Sequence, residues 1–598
     1  MCGIIGFNWA DEALAEELAS CMDHRGPDAD GAYSDEQCSL GHRRLSIIGL
    51  SETGNQPLWT AEEDIGIVFN GEIFNYKSIR NDLKEQGYEF KSETDTEVLL
   101  LGYKEWGDDV LDRVNGQYAF CIYDKPGREL FLARDRAGIN PLYYYWDGEQ
   151  FIFTSEFKGI LKSGVEKSVS ESALDYYLMY GYTPPEQTII EDAYKLRPGT
   201  YLRFDLDGNM VEEQTTYWEA SFNTTITTKE KAVKAIRSEL DRAVQRRMIA
   251  DVPVGAFLSG GLDSSAVVAH MTQHTDDLNT YSVSFDKQDY DESQYAKKVA
   301  DQFNTNHTTV EFDANDLEEL LPRLPHHYDE PFGDHSLLPM FLVAQVASED
   351  VTVALSGDGS DEIFGGYEKY KLFEYVTYQE HAKPAFKAIS KFSDYLPRKL
   401  QRYALYANLE QYQQYANINS YQYIEDLTED DLAVYEAYKP YFNQDHWLSN
   451  AINADFNLYL PDDILTKVDR ACLANSLEPR PPFLDKNMVD LAGKIDPRLK
   501  RSGGEGKAIL KEAMEGILPD EIIYREKEGF GSPIKHYFRD ELKDFVKART
   551  VDYDEHDHFD HLDIEGLYEA HVDKEEDYSR MLWTIMMFNM WWETWMNH

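Results

Sequence analysis

Cysteine is scarce in this chain of 598 residues. The five cysteines are Cys2, Cys21, Cys38, Cys121 and Cys472. An odd, sparse set without C-x-x-C spacing argues against a disulfide framework and a structural zinc site, and it favours a reducing compartment. We therefore expect a cytoplasmic protein with free thiols.

Basic residues and long apolar runs are also in short supply. The chain has 109 acidic and 58 basic residues, a formal charge of −51. Such a charge would repel nucleic acids and anionic membranes, so we expect neither as a partner. No apolar run reaches the roughly 18 residues of a membrane span, and no secretory signal is evident. The hydrophobic fraction of 42% suits folded domains, and the length predicts two or more.

The first half opens with Met1-Cys2-Gly3. Removal of Met1 would make Cys2 the terminal residue, and its own α-amino group, with a pKa of about 8, could act as a base for the sulfur. A lone cysteine is more often a small buried apolar residue, so its neighbours decide the interpretation. Motifs follow at residues 24–28 (HRGPD), 41–47 (GHRRLSI), 55–58 (NQPL), 69–76 (FNGEIFNY) and 93–97 (ETDTE).

These motifs contain the groups needed to bind and cleave an amino acid that carries a side-chain amide. Arginine can bind an α-carboxylate through two hydrogen bonds, and aspartate can bind an α-ammonium. Asn-Gly at a strand end offers a side-chain amide and a backbone N–H to an oxyanion. Taken singly, Asn-Gly is most often a turn, and an arginine-rich stretch is most often a solvated surface.

In this order, the motifs resemble the glutaminase domain of class II amidotransferases, which belongs to the N-terminal-nucleophile family. The resemblance runs from Cys2 to about residue 160 and includes residues 134–138 and 155–158. It implies an α+β sandwich of αββα layers, with Cys2 as nucleophile and with Asn70 and Gly71 as oxyanion hole. It also implies six glutamine-binding residues: Arg44, Ser46, Ile47, Ile48, Glu72 and Asp95.

Two positions depart from that family. Gln117 stands where an apolar residue is more frequent, and Asn140 replaces a frequent lysine. We expect neither to touch the chemistry. Alternation within residues 65–73 and 117–124 predicts strands of stacked antiparallel sheets.

A second pattern begins after a stretch rich in turn, acidic and threonine residues. That stretch places a boundary near 215–225, and we predict domains at 1–215 and 225–598. Residues 232–248 have helical spacing, the apolar run 252–258 predicts a buried strand, and a helix is expected from about 264. Between strand and helix lies 259–265 (SGGLDSS), in which glycines, hydroxyls and a helix N-terminus would bind phosphate. The loop lacks the lysine of a Walker A motif, and the alternative is an ordinary Gly-Ser turn.

A similar loop follows a later strand. Residues 280–285 and 351–355 are β-rich, and the latter run leads into 356–362 (SGDGSDE). Strands that alternate with helices predict a parallel α/β sheet, whose ligands bind at the carboxyl ends of strands. Asp263 and Asp361 could then hold a Mg²⁺ on pyrophosphate. The alternative, an acidic surface loop, is common in so acidic a chain.

Further motifs lie at 329–332 (DEPF), 460–470 (LPDDILTKVDR), 478–485 (EPRPPFLD), 507–511 (KAILK) and 525–530 (REKEGF). Together they resemble the synthetase domain of glutamine-hydrolysing asparagine synthetases, so the resemblance covers nearly the whole chain. It implies an α/β parallel-sheet ATP-pyrophosphatase domain with many helices, with ATP and Mg²⁺ as cofactors. It assigns acyl-adenylate formation to Asp358 and phosphate stabilisation to Lys507. The implied ATP contacts are Leu258, Ser259, Gly260, Gly261, Asp263, Ser264, Ser265, Val283, Ser356 and Gly357.

The resemblance implies small-molecule substrates: glutamine, a carboxylate and ATP. Ammonia released at Cys2 would amidate an adenylated aspartate, and a shielded passage would keep the ammonia unprotonated. Amidotransferases of the same design that act on a cell-wall peptide or a uronic acid sugar share every motif, so the acceptor stays open. Intact Cys2, Asp263, Asp358 and Lys507 disfavour a non-catalytic sensor, and Cys2 with its glutamine anchors disfavours a β-lactam-forming relative. A homodimer is also implied.

Two late segments invite other interpretations. Residues 552–563 interleave acids and histidines, yet irregular spacing favours a solvated acidic loop over a metal site. Residues 582–596 are rich in Met and Trp, and we expect a core-packing helix rather than a membrane or partner surface.

Overall fold

The computed structural model describes residues 1–285, 287, 291–378, 405–406, 408–421, 429–525 and 532–597. The part of the motif at 525–530 that follows Arg525 lies outside these residues. Within the described part, no helix is long and apolar enough to cross a membrane.

The strands of the first half form two antiparallel sheets. The first sheet has six strands in the order β10-β8-β9-β1-β3-β2, and the second has seven, β12-β11-β7-β6-β5-β4 with β13 paired to β11. The strands are Gly3–Phe7 (β1), Ala29–Ser34 (β2), Ser39–Arg44 (β3), Leu58–Trp59 (β4), Ile65–Ile73 (β5), Gly116–Asp124 (β6), Glu129–Arg134 (β7), Tyr143–Trp146 (β8), Phe151–Thr154 (β9), Ala193–Lys195 (β10), Thr200–Asp205 (β11), Met210–Val211 (β12) and Thr215–Thr216 (β13).

Helices cover the outer faces of these two sheets. Glu12–Ser20 packs on β1, β2 and β3, Asp95–Trp106 packs on β5, and β1 faces β5 across the interior. The predicted αββα sandwich is therefore confirmed, and every residue of β5 is buried. The helices of this half are Glu12–Ser20, Tyr76–Glu85, Asp95–Trp106, Val110–Arg113, Lys158–Leu161 and Glu171–Tyr180.

The second half contains a parallel sheet of five strands in the order β16-β15-β14-β17-β18. The strands are Val254–Phe257 (β14), Asn279–Phe285 (β15), Asn306–Phe312 (β16), Val353–Leu355 (β17) and Glu478–Arg480 (β18). The predicted parallel sheet is confirmed. Since β14 and β17 are neighbours, the loops that follow them leave the sheet side by side.

Helices surround this sheet. They are Lys229–Arg247, Leu262–Met271, Ser293–Phe303, Ala314–Leu320, Leu324–Tyr328, Leu337–Ala347, Ser360–Phe364, Glu368–Tyr378, Gln411–Asn419, Glu429–Tyr435, Trp447–Ala454, Thr466–Leu473, Lys486–Lys494, Pro497–Lys500, Ala508–Met514, Asp520–Ile523, Ile534–Tyr537, Lys543–Arg549, Ile564–Val572 and Ser579–Trp595, with a π-helical stretch over Asp455–Leu465.

The two late segments pack against each other. The helix Ser579–Trp595 buries Trp583 and Trp591 almost completely, as expected of a core helix. In residues 552–563 the acidic side chains are exposed, and Asp563 also caps the next helix. His556 and Phe559 contact Phe588. The acidic side chains of this loop thus face solvent, whereas the rings of His556 and Phe559 pack against the helix Ser579–Trp595.

A buried network of ions joins the two halves. The guanidinium of Arg25 donates to both carboxylate oxygens of Asp469, at 2.7 and 2.9 Å, and to Glu156 at 3.0 Å. Arg470 in turn pairs with Glu156 at 3.0 Å and with Asp329 at 3.2 Å. These side chains are almost fully buried. Charges removed from water require such partners, so the halves are docked specifically.

Candidate active sites

The predicted nucleophile Cys2 lies inside the protein, directly before the central strand β1. Its backbone N–H donates to Asn70 Oδ1 at 2.9 Å, and its carbonyl accepts from Arg25 Nε at 3.0 Å. Its thiol lies 3.9 Å from the carbonyl oxygen of Leu45. Burial raises the pKa of the Cys2 thiol. A nearby base is therefore needed to form the thiolate.

Asn70 and Gly71 lie side by side on β5. Asn70 Oδ1 accepts from Cys2, and Asn70 Nδ2 is buried with no hydrogen-bond partner in the described residues. A Cβ on Gly71 would lie 2.3 Å from the carbonyl oxygen of Gln117, so no larger residue fits. An unsatisfied buried donor is costly unless a ligand uses it. Asn70 Nδ2 is therefore placed to serve an oxyanion.

The expectation that Asn140 lies away from the chemistry is wrong. Its side-chain Nδ2 donates to the carbonyl oxygen of Asn70 at 2.7 Å, and its own N–H donates to Asp135 Oδ2 at 3.0 Å. Asn140 thus fixes the peptide that joins Asn70 to Gly71. Sequence alone gave no sign of this contact, because the two residues are 70 positions apart.

Gln117, the other departure, lies where the two halves meet. Its Nε2 donates to the carbonyl oxygen of Pro479 at 3.1 Å and lies 3.6 Å from the sulfur of Met1. The ammonium of Met1 pairs with Glu478 Oε2 at 2.8 Å, and both groups are fully buried. Met1 therefore occupies an enclosed acidic position beside Cys2.

A cavity of about 630 Å³ has two of the six predicted glutamine-binding residues on its wall, and Cys2 does not line it. Arg44 and Ser46 lie on its wall together with Asn55, and Val252 and Thr352 close it from the second half. The guanidinium of Arg44 donates to Asn55 Oδ1 at 2.9 Å and to two loop carbonyls. The arginine therefore both lines the cavity and shapes the loop around it.

Ile47 and Ile48 do not line the cavity. Both side chains are buried. The carbonyl of Ile47 accepts from the N–H of Asp251 at 2.9 Å, so the loop is held against the second half.

Glu72 and Asp95, the last two predicted glutamine-binding residues, are buried and do not line that cavity. Asp95 accepts from the N–H groups of Ile73 at 2.7 Å and Thr96 at 3.0 Å, and burial nevertheless raises its pKa to about 6. Burial, followed by the charges of Asp95 and Glu478, raises the pKa of Glu72 well above its usual value. Both carboxyls resist ionisation. A cationic ligand that binds here would therefore stabilise their ionised forms.

The phosphate loop follows β14 as predicted. Its helix begins at Leu262, and Ser259 and Ser264 contact each other at 3.1 Å between their hydroxyls. Gly260 has φ +73°, and a Cβ there would lie 2.3 Å from the backbone N of Ala296. Only glycine fits. Gly261 precedes the helix, whose first N–H groups are available to an anion.

The two glycine-serine loops touch through their backbones. A Cβ on Gly357 would lie 2.9 Å from both Asp263 Cβ and Ser264 N. The N–H of Ser356 donates to the carbonyl of Arg480 at 3.0 Å. The structure therefore assembles the predicted Ser356–Gly357 and 259–265 loops into one surface at the carboxyl edge of the sheet.

Lys507 lies between Asp263 and Asp361, the two carboxylates that were predicted from the sequence to be metal ligands. Its Nζ is 2.6 Å from Asp263 Oδ2 and 2.8 Å from Asp361 Oδ1. Burial alone would lower the pKa of Lys507, but the two carboxylates raise it above its usual value. Its backbone has φ +53°, a left-handed conformation that costs about 1–3 kcal/mol and occurs often at functional sites.

The remaining predicted residues surround this centre. Leu258 and Val283 are buried next to the loop, and Ser265 is fully buried on its helix. Burial raises the pKa of Asp358, and the Lys467 ammonium opposes that rise.

Two basic residues near the loops were quoted within motifs but given no role by sequence. Arg525 Nη2 lies 3.8 Å from the position of a Cβ on Gly261, and Arg525 also pairs with Glu292 at 2.6 Å. Lys467 donates to Asp334 at 2.9 Å and interacts with Asp358. The sequence signal that could have identified these two residues was their positive charge in so acidic a chain.

Comparison with known proteins identifies a matching family model for each half of the chain. Residues 1–218 match the model of the glutamine amidotransferase domain, and residues 235–593 match that of asparagine synthase. The chain is similar to asparagine synthetase [glutamine-hydrolyzing] 1 of Bacillus subtilis, with 34% identity over 99% of this chain and 96% of that protein. A putative asparagine synthetase 2 of Methanocaldococcus jannaschii is 42% identical over 61% of this chain and 76% of its own length. Amidase chry2 of Gibberella zeae is 27% identical over 90% of each chain.

An amidotransferase half joined to an ATP-dependent half defines an amidating ligase that takes nitrogen from glutamine. The match covers more than half of the chain, and one relative aligns almost end to end. The protein belongs to the asparagine synthase family.

Proposed function

We propose that this protein synthesises asparagine, converting ATP, L-aspartate, L-glutamine and water to AMP, diphosphate, L-asparagine and L-glutamate. The proposal assigns glutamine hydrolysis to residues 1–215 and synthesis to residues 225–598. The observation that carries it is the placement of Cys2 and of the two glycine-serine loops on opposite sides of one buried interface, which β18 spans. Glu478 on β18 reaches Met1, while the Arg480 carbonyl reaches Ser356.

In the first half, the Cys2 thiolate attacks the amide carbon of glutamine. Once Met1 is removed, the α-amine of Cys2 takes the thiol proton. Asn70 Oδ1, which accepts from the Cys2 N–H, holds this amine in place. Asn70 Nδ2 and the Gly71 N–H stabilise the oxyanion. Ammonia leaves, and water then hydrolyses the thioester to glutamate. Arg44 and Asp95 hold the α-carboxylate and α-ammonium.

In the second half, the acceptor carboxylate attacks the α-phosphorus of ATP and diphosphate departs. Residues 259–265 bind the leaving diphosphate, and Lys507 neutralises its charge. Ammonia, kept unprotonated in a shielded passage between the halves, then displaces AMP from the acyl-adenylate. Asp358 lies beside the carboxylate that is activated.

Asp263 and Asp361 fit a magnesium site. Both carboxylates converge on the Lys507 ammonium, so their oxygens are already gathered around one cation. Carboxylate oxygens are the ligands that Mg²⁺ prefers, with phosphate oxygens completing its coordination. When bound, the ion would offset charge on the diphosphate. This requires Lys507 to move to the phosphates. A homodimer and a cytoplasmic location stay predictions.

A second candidate acceptor follows from the similarity to Amidase chry2, a relative that aligns over 90% of its length and is named an amidase rather than an asparagine synthetase. Under it, the same two halves would amidate another carboxylate. Diphosphate release with ATP, Mg²⁺ and ammonium should be assayed with aspartate, a cell-wall peptide and a uronic acid sugar. We expect release, and asparagine by mass, with aspartate. Release with another acceptor alone would favour the second candidate, and release with none would contradict both.

A further inference from the structure

A second cavity, of about 270 Å³, lies apart from the glutamine cavity and at the meeting of the two halves. Tyr180 and Tyr182 line it from the first half. Asp334, Asp463 and Arg580 line it from the second. A small recess with charges of both signs is the form of a binding site for a small polar ligand.

Lys467 connects this cavity with the proposed centre of adenylation. Its ammonium donates to Asp334 Oδ2 at 2.9 Å and to Ser336 Oγ at 2.8 Å. The same ammonium interacts with the carboxyl of Asp358. One buried cation therefore lies between a wall of the cavity and Asp358.

Of the two carboxylates on the acidic wall, Asp334 is paired with Lys467, whereas Asp463 makes no ion pair with a described cation. Asp463 is 6% exposed, and its Oδ1 has no hydrogen-bond partner among the residues that the structure describes. Burial and the neighbouring charge of Asp334 raise the pKa of Asp463 well above its usual value. Asp463 lies on the π-helical stretch Asp455–Leu465, and π-helical geometry is rare and frequent at functional sites. A ligand ammonium would satisfy Asp463, the carboxylate that Lys467 leaves unpaired.

The basic wall lacks an anion. Arg580, on the helix Ser579–Trp595, is exposed at the edge of the cavity and makes no ion pair with any described carboxylate, and its guanidinium lies 5.8 Å from the ring centre of Tyr421. Lys369, also on the wall, is already paired with Asp455 at 3.0 Å. Arg580 is thus the group left to bind a carboxylate, which its planar fork can do through two hydrogen bonds.

We propose that this cavity binds the acceptor as a free amino-acid zwitterion, with its α-ammonium on Asp463 and its α-carboxylate on Arg580. The side-chain carboxylate is then left for adenylation. The volume of the cavity, about 270 Å³, suits a free amino acid of the size of aspartate. This assignment rests on the proposed function.

The first test measures ammonia-dependent diphosphate release by Asp463→Asn and Arg580→Gln. Each variant loses one charge-assisted contact, so the KM for aspartate should rise about 10- to 100-fold. The KM for ATP and the glutaminase rate should not change, which also shows that the variants fold. Asp445→Asn and Arg498→Gln, at exposed positions of the same half, are the matched controls.

The second test pairs each variant with a substrate analogue. Succinate lacks the α-ammonium of aspartate, and β-alanine lacks its α-carboxylate. In Asp463→Asn the preference for aspartate over succinate should shrink about 10-fold or more, and in Arg580→Gln the preference over β-alanine should shrink likewise. A merely structural role would weaken all three substrates equally, and that result overturns the assignment.

Different results would contradict the proposed function and the assignment of the cavity. Wild-type protein that releases no diphosphate with aspartate overturns the proposed function and the cavity assignment together. Wild-type protein that uses aspartate, with variants that behave like their controls, overturns the cavity assignment alone.

Discussion

The two halves build their reactive centres in opposite ways. In the first half, Asn70 and Gly71 lie inside a buried antiparallel strand, and Cys2 directly precedes another. In the second half, Asp263 and Lys507 lie on or beside loops and are held by ion pairs. Strand hydrogen bonds fix the first centre rigidly, whereas the second is held by contacts that can change partners.

The difference matches the task of each centre. An oxyanion site gains most from dipoles that do not reorganise during the reaction. A phosphate site must exchange its resting partners for the ligand, and Lys507 rests on two carboxylates that can equally accept a metal ion. The first centre is rigid, whereas the second depends on ion pairs that can change partners. A substitution can therefore inactivate one centre and leave the other active, and the following variants test this.

The largest effect should come from Cys2→Ala. Glutaminase activity and glutamine-dependent amide synthesis should be abolished, since the substitution removes the thiol that attacks the amide carbon. Ammonia-dependent synthesis should stay within about twofold of wild type, as separate centres require. Cys21→Ala, at a partly exposed free cysteine, is the control. Loss of both activities in Cys2→Ala would refute the two-centre model.

Lys507→Met should act on the other half. Removal of the ammonium should reduce amide synthesis with either nitrogen source on the order of 10³-fold, because diphosphate charge is no longer offset. Glutaminase activity should persist. Lys511→Met, one helical turn further along, serves as control. Equal loss in both lysine variants would show that the effect is not specific to the phosphate site.

Asn70→Ala should reduce glutaminase activity about 10²- to 10³-fold, because it removes an oxyanion donor and the partner of the Cys2 N–H. Ammonia-dependent synthesis should be unaffected. Asn75→Ala, which removes hydrogen bonds to the Asn115 N–H and the Arg113 carbonyl, controls for loss of structure. An unchanged glutaminase rate would remove Asn70 from the oxyanion site.

The smallest effect is a pH dependence. Burial raises the pKa of Asp95 to about 6, and only its ionised form attracts the α-ammonium of glutamine. Glutaminase kcat/KM should therefore fall about tenfold per pH unit below about 6, and this limb should be missing in Asp95→Asn. For stability, the raised pKa favours folding at low pH, so this contribution is lost as pH rises through about 6. A limb that persists in Asp95→Asn belongs to another group.

Local patterns made much of this structure predictable. Alternation located β5 to the residue, and glycine-serine loops after apolar runs located both halves of the phosphate surface. These signals need only neighbouring residues. The strand β18 was not predicted, because three residues with a central proline read as a loop.

Contacts between distant segments were out of reach. Lys507 meets Asp263 across 244 positions, and nothing in either motif specifies that pairing. The second cavity likewise draws Asp463 and Arg580 from separate helices, so its charges become complementary only after folding. Asn140 shows the same principle in the first half, where a departure from the family lies against the oxyanion site.

The burial of Met1 bears on timing during biosynthesis. Its ammonium pairs with Glu478, which is synthesised 477 residues later. An aminopeptidase needs an exposed N-terminus, so removal of Met1 has to precede docking of the second half. At about 5–20 residues per second, translation leaves a window of roughly 25 to 95 seconds before Glu478 is added. On the proposed function, Met1 is therefore removed before the second half has been synthesised and docked.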